Sequence, residues 1–245
     1  MRRHLSILLC ALCGGFSLLA SDVTPTTNRE TRVVAGWTVH VHSACLATNA
    51  VATERALELL KVQLEQIVRV APPPAVTELR KVQLWFSPEY PHIPPRAEYH
   101  PGAGWLREHG RDPAMAKGIE FTNVRIFEAE TRRMPNFALH ELAHAYHDRV
   151  LPQGFSNALI KAAYEKAKAS GTYDRVRRRD SEGREQWGRA YAMTNPQEYF
   201  AETTEAFFAT NDFFPFTRDE LKQHDPEMFR LLARLWGFIL PSGER

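Results

Sequence analysis

Cysteine is scarce: the 245 residues contain three, and two of them, Cys10 and Cys13, fall within the first twenty positions. Beyond that stretch Cys45 stands alone, so no intrachain disulfide can staple the fold. A basic excess is missing as well. The 31 lysines and arginines face 29 acids, a formal charge of +2, which argues against a nucleic-acid partner. Compositional disorder and internal repeats are absent too; with 44% apolar and 24% charged residues the chain is an ordinary globular mixture. Its length suffices for one large domain or two lobes around a shared cleft.

The N-terminus departs from this average. Arg2 and Arg3 precede an apolar run from Leu5 to Ala20, interrupted only by Ser6, Gly14, Gly15 and Ser17. A membrane-spanning helix needs roughly 20 apolar residues, so the run reads as an export signal cleaved after Ala20. Neither Cys10 nor Cys13 follows the small residue that lipidation prefers. The expectation is a secreted or periplasmic protein with no stable membrane partner; an uncleaved anchor is the alternative. Residues 21–31, polar and Thr/Asn-rich, read as a linker, and 32–245 as a single domain.

Val33 to Val41 alternates as a strand does, and Ala52–Val70 carries Leu57, Leu60, Leu64 and Ile67 at helical spacing. Pro72-Pro73-Pro74 ends that helix. Further strands are expected near Arg80–Phe86 and Gly118–Phe127, and from Phe137 onward the chain reads as helical apart from 152–154 and 170–189. This is an α+β order: a small mixed sheet with helices in an N-terminal lobe, followed by a mainly helical C-terminal lobe.

The chemistry concentrates in His140-Glu141-Leu142-Ala143-His144. At about 100° per residue, His144 lies one turn from His140, while Leu139, Leu142, Ala143 and Tyr146 form a separate apolar face. Two imidazoles one turn apart can reach one Zn2+ ion, and the intervening Glu141 can act as base toward the attacking water. His147 extends the row, but three histidines along a straight helix cannot converge on one tetrahedral ion; it reads as a cleft-wall or surface residue. Asp148 is a candidate acceptor behind a ligand imidazole.

A second constellation follows Tyr191. Asn195 suits an N-cap and Pro196 the first helical position. Glu198, Glu202 and Glu205 then share one face opposite Phe200, Thr204, Phe207 and Phe208. Like charges at this spacing repel, so the stripe calls for a cation. Glu198 also has an ordinary explanation as the capping-box partner of Asn195. Glu202, and Glu165 on a lysine-interleaved helix, are the other contenders for third ligand. Tyr191 could equally be packed on the core.

The pairing of His140-Glu141-Leu-Ala-His144 with Tyr191 and Asn195-Pro-Gln-Glu198-Tyr-Phe-Ala-Glu202 resembles the catalytic domain of anthrax lethal factor and its relatives, over roughly 136–236. The resemblance implies a zincin-like gluzincin fold and a metalloendopeptidase acting on protein or peptide substrates. It makes His140, His144 and Glu198 the ligands of a single zinc ion and Glu141 the general base. Tyr191 becomes the phenol that stabilises the oxyanion, and Glu202 a carboxylate behind a ligand histidine. Pro196-Gln197 departs from the family's more acidic pattern. A zincin-fold binding protein without turnover and a zinc hydrolase of non-peptide amides are the rival functions. The arginine-rich segment 174–189 is a solvated loop or hairpin, or a cleft flap favouring acidic substrates. Gly118–Phe127 is the candidate edge strand for substrate pairing.

Overall fold

The computed structural model describes residues 28–241. The expected export signal at 1–20 and the expected linker as far as 27 lie outside the described residues. Among the described residues no helix is long and apolar enough to cross a membrane.

The sheet begins earlier than expected, inside the stretch read as linker. Strand β1 (Arg29–Val34) pairs antiparallel with β2 (Trp37–His42). The two-residue turn between them has both residues at positive φ, Ala35 at 50° and Gly36 at 93°, the geometry that matches the twist of a hairpin. A side chain at Gly36 would also meet Arg80, whose Nε would lie 2.6 Å from the added carbon. Next come α1 (Ser43–Thr48) and α2 (Ala50–Val70). The prolines do end α2, but Pro73 then opens a further helix, α3 (Pro73–Leu79). Proline is well suited to a first helical turn, where its missing N–H is not needed.

Strands β3 (Leu84–Phe86), β4 (Ala97–Tyr99) and β5 (Ile119–Phe121) are only three residues each. Sheet order is β1-β2-β3-β5-β4, with β2, β3 and β5 parallel and β4 antiparallel to β5. The sheet is therefore mixed, as expected. Its edges are not: β5, the candidate for substrate pairing, is covered on both sides, and the edge strands are β1 and β4. Val39, Leu84, Phe86, Ile119 and Phe121 of the sheet and Leu60, Leu64 and Ile67 of α2 are fully buried in one core. The chain continues through α4 (Ala103–Glu108) and α5 (Phe127–Arg133).

The helical lobe comprises α6 (Phe137–Arg149), α7 (Ala158–Ser170), α8 (Pro196–Phe208), α9 (Arg218–His224) and α10 (Pro226–Trp236). The arginine-rich segment between α7 and α8 is a hairpin of β6 (Val176–Arg179) and β7 (Glu185–Gly188). Helix α6 packs against α2, against the edge strand β4 and against α8. Its buried start is capped twice: the Asn136 side chain accepts from Leu139 N, and Gln63 of α2 accepts from Ala138 N. Trp236 of α10 stacks on Tyr146 of α6 at 4.0 Å and on Phe200 of α8 at 6.0 Å. That aromatic column fixes the separation of the two helices that carry the polar residues.

Candidate metal centre

Three donor atoms meet where α6 faces the start of α8. His140 Nε2 lies 3.1 Å from Glu198 Oε2 and 3.1 Å from His144 Nε2, and His144 Nε2 lies 3.4 Å from Glu198 Oε2. A tetrahedral ion with bonds of about 2.0–2.1 Å has donor–donor edges of about 3.3 Å. The triangle has the size such an ion requires. His140 and His144 are buried, and Glu198 is partly so. The capping interaction explains half of Glu198: its N–H donates to Asn195 Oδ1 at 2.8 Å, while its carboxylate turns to the histidines. Glu165 is exposed on α7 and takes no part.

Electrostatics point the same way. The carboxylic acid of Glu198 is held well below the usual range, because the hydrogen bonds and charges of His140 and His144 overcome the opposing effect of burial. Burial would lower the His140 pKa, yet hydrogen bonds with Glu198 and Glu205 raise it well above its ordinary value. The protein thus asks for positive charge at this point, from a proton or from a metal ion.

Behind His140 the structure departs from what the resemblance implies. Its Nδ1 is hydrogen-bonded to Glu205 Oε1 at 2.7 Å, whereas Glu202 Oε1 lies 3.7 Å away and the other Glu202 oxygen accepts from Asn211. Glu205, one turn further along α8, is the residue that fixes the ring; Glu202 is its neighbour. Both are buried, and burial drives both toward the neutral acid. Glu205 rises to about 7 despite His140, and Glu202 rises well above the carboxylate range, pushed also by Glu205 and Asp212.

Asp148 is not behind a ligand imidazole either. Its carboxylate accepts from the Tyr99 hydroxyl at 2.7 Å and from Lys117 Nζ, tying the end of α6 to the edge strand. The backbone of that strand reaches the centre itself: Tyr99 N–H donates to Glu141 Oε2 at 2.8 Å. Arg96 and His100 bond inward, toward Thr122 and Gly118. Strand alternation then turns the backbone of Ala97 and Tyr99 outward. Sequence reasoning missed this contact, because a main-chain donor carries no residue signature.

Tyr191 is not core. It sits in a 3-10 turn just before α8, about half exposed, and its phenol pKa is raised by burial and by Glu198. With His140, Glu141, Arg133, Arg178 and Phe213 it lines a cleft of about 400 Å³ beside the donor triangle.

His147, read as a cleft-wall or surface residue, is fully buried. It packs against Phe200 and Phe155 with both ring nitrogens unpartnered among the described residues. Burial, aided by His144 and opposed by Asp148, lowers its pKa to about 4. The folded protein holds this ring neutral, while the unfolded chain takes up a proton near pH 6.5. Its contribution to stability is complete above that pH and lost as pH falls toward 4, a change on the order of 3 kcal/mol. In metal-free protein, His147→Leu should flatten the fall in urea-unfolding stability between pH 6.5 and 4; an unchanged slope would assign it elsewhere.

The comparisons with known proteins fit this arrangement. Residues 115–235, just under half of the chain, match the family model described as anthrax toxin lethal factor, N- and C-terminal domain. The matched span contains α6, α8, Tyr191 and the β6–β7 hairpin, and supports a lethal-factor-like relationship. No curated protein and no solved structure matches the chain.

Proposed function

We propose that this chain, with residues 115–235 related to the lethal factor family, is a secreted zinc-dependent metallopeptidase of the gluzincin type. The observation that carries the reading is the convergence of His140 Nε2, His144 Nε2 and Glu198 Oε2 within 3.4 Å of one another. In the neutral imidazole, a proton shared between His140 Nδ1 and Glu205 leaves Nε2 as a lone pair directed at the other two donors. Three acceptors at that separation repel unless a cation lies among them. The folded residues from Arg29 onward act as one catalytic unit on protein or peptide substrates.

Bound there, zinc supplies a Lewis acid that acidifies a water and polarises a carbonyl. The protein's own groups do the rest. Glu141, steadied through one oxygen by Tyr99 N–H, takes the proton of the attacking water with the other and passes it to the departing amine. The Tyr191 hydroxyl donates to the developing oxyanion from the cleft wall. Glu205 holds the His140 ring in the tautomer and orientation that keep Nε2 available. The outward Ala97 backbone and the Tyr99 carbonyl of β4 offer an extended peptide one side of a ladder, the Tyr99 N–H being held by Glu141.

The assignment of Glu205 is open to measurement. Loss of a hydrogen-bonding partner behind a ligand typically costs about 10- to 100-fold in metal affinity. Glu205→Leu should weaken zinc by that factor in a competition titration against a chelating dye, and Glu202→Leu by less. The opposite ranking would return the role to Glu202. The function itself is tested by digestion of casein and a mixed peptide library by zinc-reconstituted protein, with chelator as control. Folded, zinc-loaded protein that left every peptide intact would refute it.

A further inference from the structure

Of the three consecutive arginines of β6, one differs in its surroundings. Arg177 and Arg179 share a strand face, both pair with Glu185, and both lie over the ring of Phe216. Arg178 points the other way, as strand alternation requires, and lines the cleft beside the metal centre.

Arg178 is held firmly. Its backbone forms a bridge with Phe213, and the flanking bonds Arg179 N–H to Asp212 O and Phe214 N–H to Arg177 O are both 2.8 Å. The hairpin is thereby stitched to the loop after α8 and forms a wall of the cleft, not a free flap. The guanidinium rests 4.8 Å from the centre of the Phe213 ring, and only its Nε is engaged, by Asp212 Oδ2 at 3.4 Å. Asp212 is shared. It accepts from Arg133 Nη1 at the shorter distance of 3.0 Å, so one buried carboxylate serves two guanidinium groups. The Nη1 and Nη2 end of Arg178 has no hydrogen-bond partner among the described residues, and the side chain remains 45% exposed. That end is the planar fork that grips a carboxylate through two parallel bonds. Met134 and Phe213 border the same cleft and give its wall an apolar part beside the guanidinium.

We infer that the cleft selects substrates by a carboxylate close to the scissile bond, gripped by the free fork of Arg178. The inference rests on the peptidase reading above. The carboxylate can come from an aspartate or glutamate side chain or from the C-terminus of a short peptide. Either presents the same two oxygens to the guanidinium.

The test is equilibrium binding by fluorescence anisotropy, using zinc-loaded Glu141→Gln protein so that no peptide is consumed. Labelled peptides would carry Glu, Gln or Lys at each position in turn, with either a free or an amidated C-terminus. At one position the Glu peptide, or otherwise the free-acid peptide over its amide, should bind about ten-fold more tightly. The first result identifies a side-chain carboxylate, the second a terminal one. Arg178→Gln should abolish the difference, and Arg178→Glu should reverse it in favour of Lys. Equal binding of Glu, Gln and amidated peptides, or a preference that survives in Arg178→Gln, overturns the inference. Carboxylate-selective binding without cleavage by the zinc-loaded wild type would instead overturn the peptidase reading and leave the grip standing.

Discussion

Glu141→Gln is expected to bind zinc like the wild type and to lose turnover by about 10³-fold, because a positioned general base contributes about 10² to 10⁴. The substitution suits the surroundings. A glutamine oxygen can still accept the Tyr99 N–H that now reaches Glu141 Oε2 at 2.8 Å, so the side chain keeps its place and loses only the ability to take a proton. The comparison also separates the rival functions. A binding protein would show no turnover in either form. A hydrolase of non-peptide amides would leave peptides intact in the wild type while still depending on Glu141 for its own substrates. Stopped assays on a peptide library, with zinc content measured on the same samples, distinguish the three. Equal peptide turnover by wild type and Glu141→Gln would remove Glu141 from the mechanism.

Much of this centre was legible because helical periodicity is strict. His140 and His144 are four residues apart, and on a helix with an apolar back that spacing alone brings both rings to one face. Asn195 and Pro196 announced the start of α8, and from that start the acidic stripe followed. The choice within the stripe did not. Glu202 and Glu205 lie on nearly the same face, so the angle at which α8 crosses α6 decides which carboxylate meets His140 Nδ1. That angle is set by the Tyr146, Trp236 and Phe200 column, whose members come from three separate helices. Tyr99 was hidden for a related reason. Strands of three residues leave hardly any alternation to read, and a backbone donor can belong to any residue. His147 misled because its position on the wheel, beside His140, says nothing of Phe155, which the positive-φ pair Gln153 and Gly154 folds back over it.

Withdrawal of zinc is expected to stop hydrolysis altogether and to lower the stability of the fold, and the two effects share a cause. Without the ion, the buried face of α8 holds Glu202 and Glu205, with Glu198 partly buried beside them, against two imidazoles. Protons must then be taken up to hold the cluster together, as the raised pKa values of His140 and Glu205 indicate. A ligand that binds only the folded state stabilises it by RT ln(1 + [L]/Kd), about 4 kcal/mol at a thousand-fold excess over Kd. For a chain of this size, that corresponds to a shift in Tm on the order of 10 °C. Because protons and metal compete for the same donors, the shift should shrink as pH falls below neutrality. Thermal unfolding of chelator-treated and zinc-reconstituted protein at pH 7.5 and 5.5 measures both trends, and Glu198→Ala should reduce the zinc-dependent shift. If Tm ignored zinc at either pH, and Glu198→Ala behaved like the wild type, the convergence of His140, His144 and Glu198 would be an ordinary buried ion pair with no metal to hold.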